Sequence, residues 1–380
     1  MCVVMKGAVT GALVRELNLH AVYQAMWQGY PVTRADLARQ LRTSKPTIGR
    51  AVEALLAAGL VEEVAAPEDA AGYSAVYFGP RAGAASVLAL DLGSRYLRGM
   101  VADLDGAELA RIDVLVDGHR PEQVLAAATG LRDDLVAAAG MAPELVTMGI
   151  AGVIEPRTGV VYSANQQDLD GFAAAARLRA ALGVPVVVEN DVNLAAVGEG
   201  WRGAGAGVRD FAFLHIGSGV GAGLVLGGEL HRGRNGAAGE IDFVPEGQRF
   251  QPDSPAADAF LAQIWQRSDF VNCEDVMDAA RAGNRRALEL IGWEAERIAE
   301  HAARVTSVVD LGLIVLGGGI GLNGDLLAEP VRAVLAGLTD YPPQVEISRL
   351  GEAAILTGAV ATGLRSVFAD LVTRRVATQE

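Results

Sequence analysis

Acidic residues stand where a run of valines ends. The segment VPVVVENDVNLAAVGEG, residues 184–200, has the pattern of a buried strand followed by a helix, and Glu189, Asn190 and Asp191 fall at the junction. A carboxylate at the end of a buried strand is a common position for a general base or a ligand contact. Asp is also favoured as a helix cap. Asp191 is therefore a candidate catalyst, a candidate ligand contact or the cap of the next helix.

Glycine-rich loops follow other strands. The sequence DLG occupies residues 91–93, IGSGVGAGLVLGG occupies residues 216–228, and IVLGGGIG occupies residues 314–321. One such loop is weak evidence for a ligand, because plain turns also need glycine where the backbone approaches closely. The order strand, glycine loop, strand, turn and strand occurs twice, which predicts two related α/β lobes facing a cleft.

Basic residues concentrate near the N-terminus, where the hydrophobic pattern predicts three helices and a two-stranded wing. Residues 31–50 include five basic residues and only one acidic residue, Asp36. The third helix, capped by Ser44, presents Lys45, Thr47 and Arg50, as a DNA-recognition helix does. The remaining cations are predicted phosphate contacts: Arg34, Arg39 and Arg42. The alternative is a three-helix bundle with an ordinary solvated face.

Composition limits the other possibilities. The chain has 380 residues, 51% of them hydrophobic and 21% charged, which suits a globular protein of two or three domains. The sequence contains no run of 18 apolar residues, so it predicts no membrane span. The net charge of −14 argues against DNA binding by the whole surface. Cys2 and Cys273 are the only cysteines, so the sequence favours a reducing cytoplasm.

The order of these motifs resembles that of the ROK family of repressors, open reading frames and sugar kinases. The matching segments are DLG, VENDVN at residues 188–193, the two longer glycine loops, and HRGRNGAAGE at residues 231–240. The segment TRADLARQLRTSKPTIGR is similar to the helix-turn-helix of the family's repressor branch. The resemblance implies an α/β chain, in which an N-terminal winged helix-turn-helix precedes a two-lobed, actin-like ATPase (sugar kinase-like) fold.

The resemblance also implies domain boundaries. We expect a DNA-binding domain over residues 1–80, a first lobe over 81–200 and a second lobe over 201–352. The C-terminal helix, residues 353–376, is expected to pack back on the first lobe.

In the family's kinases, a carboxylate at the position of Asp191 takes a proton from the sugar hydroxyl that attacks the γ-phosphate of ATP. The resemblance implies four sugar-binding side chains: Asn165, Asn190, Asp191 and Glu240. It also implies a set of nucleotide-loop residues: Asp91, Gly93, Gly217, Ser218, Gly219, Gly317 and Gly318.

Three departures from the family's kinases weaken the catalytic interpretation. The first phosphate loop carries Ser94-Arg95 instead of a small residue and a threonine. Asp242-Phe243 stand where the kinases have glycine and a histidine that helps to hold sugar and zinc. The cysteines of the family's zinc motif are absent, and tetrahedral zinc needs such ligands. We therefore expect neither zinc nor ATP as a cofactor, and packing explains the glycines of the other two loops equally well.

These observations favour a transcriptional repressor that binds operator DNA and responds to a neutral sugar through Asp191, which acts as a binding carboxylate. Two-fold operators imply a homodimer or a tetramer in the cytoplasm, with no membrane contact. One alternative is an ATP-dependent sugar kinase with a regulatory DNA-binding domain. Another is a regulator that has lost its ligand and responds to a partner protein.

Overall fold

The computed structural model describes residues 11–67, 75–162, 167–242 and 253–377. The chain divides into two compact units. The first unit comprises Met1–Val87, Ala102–Ala107 and Leu364–Glu380, and the second comprises Leu88–Val101 and Glu108–Gly363.

The first unit contains a winged helix. Its N-terminal elements are α1 (Gly11–Gln28), β1 (Val32–Thr33), α2 (Arg34–Gln40), α3 (Lys45–Ala57), β2 (Val61–Val64) and β3 (Tyr77–Pro80). The strands form an antiparallel sheet in the order β1-β3-β2, so the short β1 joins the predicted two-stranded wing. Thr33 caps α2 in a reciprocal capping box with Asp36, and Ser44 caps α3 as the sequence predicts.

Helix α3 is held by an apolar stripe along one side. Ile48, Val52 and Leu55 are buried, while Lys45 and Arg50 on the opposite side are exposed. Tyr23 and Met26 of α1 are buried in the same unit. Burial of side chains of this size contributes roughly 1.5–3 kcal/mol each, which is what orients the polar face of α3 outward.

The second unit begins with the first α/β lobe. In chain order its elements are β4 (Ser86–Leu92), β5 (Tyr96–Asp103), β6 (Glu108–Leu115), α4 (Pro121–Ala139), β7 (Leu145–Ile150), β8 (Val153–Ile154), β9 (Val161–Tyr162), α5 (Ala174–Leu182), β10 (Val186–Asn190) and α6 (Asp191–Arg202). The five-stranded sheet has the order β10-β7-β4-β5-β6. Strands β10 and β7 are parallel, with Asn190 opposite Ile150, so Asp191 follows directly at the carboxyl edge.

The second lobe repeats this plan. Its elements are β11 (Phe211–Ile216), β12 (Val220–Leu226), β13 (Glu229–Leu230), α7 (Ala257–Arg267), α8 (Cys273–Arg281), α9 (Arg285–Val309), β14 (Leu313–Gly317), α10 (Gly318–Gly321), α11 (Gly324–Leu338) and β15 (Gln344–Ile347). The sheet order is β13-β12-β11-β14-β15. Helix α6 packs on this sheet through Ala195 and Ala196, which contact Phe211, Phe213 and Val225.

The last helix, α12 (Ala354–Ala377), contributes to both units. From Leu364 onward it belongs to the first unit, whereas the sequence assigned residues 353–376 to the first lobe. The ring of Phe368 lies 5.3 Å from Trp27 and 6.0 Å from Tyr23 of α1. Thr373 Oγ1 donates to Glu16 Oε1 at 2.6 Å. The winged helix is therefore completed by residues about 350 positions away in sequence.

The segment Gly351–Ala377 is also long and apolar enough to cross a membrane by length and composition alone. Half of its most apolar window is buried inside the protein, and Leu371 and Val372 are fully buried. Packing of both halves of α12 explains this composition, because core helices reach the same hydropathy.

Candidate functional site

Asn190, not Asp191, caps helix α6. The Asn190 side chain accepts a hydrogen bond from Asn193 N at 2.9 Å and donates from Nδ2 to the carbonyl of Gly152 at 3.0 Å. Asp191 is the first helical residue, and its Oδ1 accepts from Val192 N at 2.8 Å. The interpretation of Asp191 as the cap is thus wrong, because the chain places the cap one residue earlier. Asn190 therefore caps α6, and the sugar contact predicted for it would be a second role of the same side chain.

A half-buried ion pair ties the HRGRNGAAGE loop to the strand end. Glu189 is 5% exposed and accepts from Arg232 Nε at 2.5 Å and from Asn193 Nδ2 at 3.0 Å. The sequence predicts no role for Glu189 or Arg232, although both lie in motifs that match the family. Their pairing holds the loop beside Asp191, because Glu189 lies two residues before it.

Glu240 is the last residue of the HRGRNGAAGE loop. The carbonyl of Gly239 accepts from Ala222 N at 2.9 Å, so the loop lies along β12 just before Glu240. Burial raises the pKa of Glu240, and the charge of Asp191 raises it further. That mutual repulsion places the two predicted sugar-binding carboxylates in one electrostatic environment.

Asp91 is the third carboxylate of this cluster. It is the penultimate residue of β4 and is 2% exposed. Its pKa is raised from 3.8 to about 6 by burial and then by the charge of Asp191. Burial raises the pKa of Asp191 as well, against the opposing charge of His215. Carboxylates from β4, α6 and the loop after β13 therefore influence one another electrostatically, and such a group suits hydroxyl donors and repels anions.

The first phosphate loop is occupied by the protein's own groups. Arg98 Nη1 lies 3.3 Å from Asp91 Oδ2, and Arg98 Nε lies 3.8 Å from Asp113 Oδ2. His119 Nε2 is 3.0 Å from the carbonyl oxygen of Gly93. Arg95 is exposed and lies over the ring of Tyr96 at 5.9 Å. Asp91, which the resemblance assigns to the nucleotide loop, is thus already paired with a guanidinium.

The glycines of the other loops are needed by packing. Gly318 has a φ of 80°, and a Cβ there would lie 2.4 Å from the carbonyl oxygen of Ile216. Gly217 N donates to the carbonyl of Gly219 at 3.0 Å, which closes the loop that exposes Ser218. Retention of glycine at these positions consequently follows from the fold and is not by itself a sign of nucleotide binding.

Polar side chains meet around Asp242. Ser254 Oγ donates to Asp242 Oδ2 at 2.6 Å, and His301 Nε2 lies 3.8 Å from Asp242 Oδ1. Nearby on α9, buried Arg297 pairs with Glu294 at 3.1 Å. Across the described ranges, no group of three or more His, Cys, Asp or Glu is placed to hold a metal ion. Phe243 and Asn165 lie outside the described residues.

Asp91→Asn is expected to stabilise the protein at pH 8. A folded pKa of about 6 against 3.8 means that the native state retains the Asp91 proton longer than the unfolded state. Asp91 therefore lowers the free energy of unfolding of the wild-type protein by roughly 3 kcal/mol as pH rises from about 4 to 6. The loss persists above that range. Urea unfolding of both proteins from pH 4 to pH 8 should show a gap that widens with pH. A gap independent of pH, or a variant less stable at pH 8, would contradict this.

On the first unit, the predicted DNA contacts fall into two groups. Arg34 lies over the ring of Phe78 at 5.0 Å, and Arg39 is paired with Asp36. Arg42 occupies the turn between α2 and α3 with a φ of 49°, and it is exposed together with Lys45 and Arg50. Thr47 Oγ1 contacts Ser44 Oγ at 2.8 Å within the cap of α3.

Comparison with known proteins decides the family. The ROK family model matches residues 87–366, and a MarR family model matches residues 28–71. The chain belongs to the ROK family. Among its relatives, the xylose repressor of Caldicellulosiruptor bescii is 22% identical over 92% of this chain and 96% of that protein. The glucokinase of Streptomyces coelicolor is 29% identical over 72% of this chain and 95% of the kinase.

Solved ROK structures agree with the fold. A ROK family transcriptional regulator, described as a homologue of the MLC protein of E. coli, superposes with a TM-score of 0.80 over 96% of this chain and 99% of that chain, at 21% identity. The ROK glucokinase of Streptomyces griseus, with glucose and AMPPNP, gives a TM-score of 0.63 over 73% of this chain and 98% of the kinase, at 26% identity. The kinases lack a counterpart for about a quarter of the chain. The predicted fold and the prediction of a ROK transcriptional regulator with an N-terminal winged helix are confirmed.

Proposed function

We propose that this ROK regulator is a repressor that binds a neutral sugar at Asp191 and changes its operator affinity in response. The observation that carries the proposal is the cluster of Asp91, Asp191 and Glu240, in which the phosphate-loop carboxylate is paired with Arg98. Carboxylate oxygens accept hydrogen bonds from hydroxyl groups, whereas their mutual repulsion disfavours a phosphorylated sugar. The xylose repressors among its relatives make D-xylose a first probe, and the glucokinases make D-glucose a second.

The proposal includes the mode of DNA binding. Lys45 and Arg50 on α3 and Arg42 in the preceding turn are the proposed principal contacts, because their side chains are exposed on the recognition side. Arg34 and Arg39 are secondary phosphate contacts, since each already contacts a protein group. Two such units on a two-fold operator imply a homodimer or a tetramer, which we place in the cytoplasm.

A sugar kinase is the second candidate, favoured by the retention of Asp191 at the position of the family's base. Two contacts argue against it. Arg98 neutralises Asp91, and His119 engages Gly93 in the loop that would approach the phosphates. We therefore propose that neither ATP nor zinc is a cofactor and that sugar phosphorylation is negligible.

Calorimetric titration of D-xylose and D-glucose, with and without a duplex selected from a random library by the full-length protein, tests the proposal. We expect sugar affinity to change at least tenfold with DNA, a coupling of about 1.4 kcal/mol that must be reciprocal. Asp191→Asn should lower the affinity for the sugar. The affinity for DNA measured in the absence of sugar should stay unchanged. Equal sugar affinities with and without DNA would exclude the coupling. Steady ADP release with either sugar, abolished by Asp191→Asn, would establish the kinase instead.

A further inference from the structure

Glu199, in the last turn of α6, is a buried carboxylate with several hydrogen-bond donors around it. The residue is 0% exposed. It accepts hydrogen bonds from the backbone nitrogens of Ala204 at 2.6 Å, Leu350 at 3.1 Å and Arg349 at 3.4 Å, and from Ser348 Oγ. These donors offset the cost of burying the carboxylate. All but the first belong to residues 348–350, the turn that follows β15, so Glu199 bonds the end of α6 to this 348–350 turn.

The 348–350 turn is itself fixed to the elements on either side of it. Ser348 N donates to the carbonyl of Leu316 in β14 at 2.8 Å. Ser348 Oγ accepts from Gly351 N at 2.8 Å. Gly351 begins the short 3₁₀ helix, Gly351–Ala353, that leads into α12. One carboxylate therefore joins α6 to the second sheet and to the N-terminal end of α12.

Small residues form the crossing of α6 and α12. Gly198 and Gly358 each lie against the backbone of the opposite helix, and Ala354 belongs to the same apolar cluster as Ala195 of α6. Surfaces without long side chains approach closely but interlock little, and hydrophobic contact has no preferred direction. Hydrogen bonds are directional, and a buried polar group can fix the register of two packed helices. Glu199 supplies the directional contact beside this crossing.

The two helices lead from this crossing to different sites. Helix α6 begins at Asp191, the proposed sugar-binding carboxylate. Helix α12 is one continuous helix, and its second half belongs to the first unit, where Phe368 packs against Trp27 of α1. A shift of α6 is therefore passed along α12 only if the start of α12 moves with α6.

We propose that Glu199 is a positioning residue for α12: it fixes α12 on α6, so that sugar binding at Asp191 changes the operator affinity of the winged helix. The inference rests on the proposed function for the sugar, whereas the hydrogen bonds of Glu199 are present in the free protein. Coupling between two sites requires an element whose position both ligands influence. Without the bonds of Glu199, each ligand would still bind at its own site, but neither would alter the affinity for the other.

Calorimetric titration of the full-length protein with the sugar probe that binds, D-xylose or D-glucose, measures this coupling. The ratio of sugar affinities with and without the selected duplex should be at least about tenfold in the wild type and below about threefold in Glu199→Gln. The glutamine amide has one acceptor oxygen and turns an NH₂ group toward the donors of the 348–350 turn. Sugar affinity without DNA and DNA affinity without sugar should each stay within about threefold of the wild-type value. General loss of structure would lower both. An undiminished ratio in Glu199→Gln would overturn the proposal.

Ser348→Ala is the milder variant for the case in which Glu199→Gln does not fold. It removes the hydroxyl donor and leaves both backbone donors of the turn, so the ratio should fall at least about twofold, and an unchanged ratio would then overturn the proposal. Asn284→Ala is the matched control. Asn284 caps α9 in the same unit and takes no part in the bonds of Glu199. Its loss should lower stability and leave the ratio unchanged. Loss of the ratio in this control as well would show that coupling follows stability instead of Glu199.

Hydrogen exchange tests the anchoring of α12 without any ligand. The amide of Leu350 donates to Glu199, and it should exchange at least about tenfold faster in whichever of the two variants folds. The first turns of α12 should also exchange faster, while α9 should not. Unchanged exchange over residues 349–358 would overturn the proposal. If the wild type binds neither sugar, the proposed function fails, and the exchange rates alone decide whether Glu199 fixes α12.

Discussion

A chain that ends at Gly363 is expected to lose all specific operator binding. The residues removed from α12 include five buried apolar side chains: Leu364, Val367, Leu371, Val372 and Val376. At roughly 1.5–3 kcal/mol for each, their burial contributes on the order of 10 kcal/mol to the first unit. This is comparable with the whole stability of a typical domain, so the winged helix should unfold without them.

The second half of α12 makes specific contacts with α1. Phe368 packs against Trp27 and Tyr23, and Thr373 hydrogen-bonds to Glu16 and His20. Truncation would leave the aromatic rings of α1 in water, and the recognition helix α3 would lose the support of α1.

Fluorescence anisotropy with a duplex selected by the full-length protein measures the effect. A chain that ends at Ala377 keeps all of α12 and should bind the duplex as the 380-residue chain does. Thermal unfolding followed by calorimetry should show that the second unit still unfolds cooperatively in the shorter variant. Specific binding by the chain that ends at Gly363 would show that the winged helix folds without α12.

Gly358→Ala is expected to destabilise the second unit by more than about 3 kcal/mol. Helices α6 and α12 cross at two glycines. A Cβ on Gly358 would lie 1.7 Å from the carbonyl oxygen of Leu194, and a Cβ on Gly198 would lie 2.3 Å from that of Ala354. Both obstacles are backbone atoms, so the clash is relieved only if the helices separate. Since α6 begins at Asp191, separation also displaces the candidate sugar-binding carboxylate.

Gly292→Ala is the matched control for this variant. Gly292 lies inside α9, and nothing would stand within 4 Å of an added Cβ there. Alanine in an open helix interior should stabilise the protein by up to about 1 kcal/mol, because it reduces the freedom of the unfolded chain. Differential scanning calorimetry of the two variants should move the melting temperature in opposite directions. Equal melting temperatures for Gly358→Ala and wild type would show that the crossing is not close packed in solution.

Local pattern was sufficient for much of this protein. Ser44 caps α3, the stripe of Ile48, Val52 and Leu55 is buried, and each glycine loop follows the strand that the alternation predicts. These features depend on residues within a few positions of one another, and the motif order was specific enough to identify the ROK fold. The missing cysteines were likewise visible in the sequence, because a metal site needs particular side chains whatever the fold.

The tertiary structure alone decided which groups meet. Asp91 pairs with Arg98 seven residues away on the neighbouring strand, and Glu189 pairs with Arg232 across 43 positions. The apolar pattern of α12 shows that its second half is buried but cannot show against what. Hydrophobic burial is not directional, so the choice of α1 as partner depends on the shape of the folded chain.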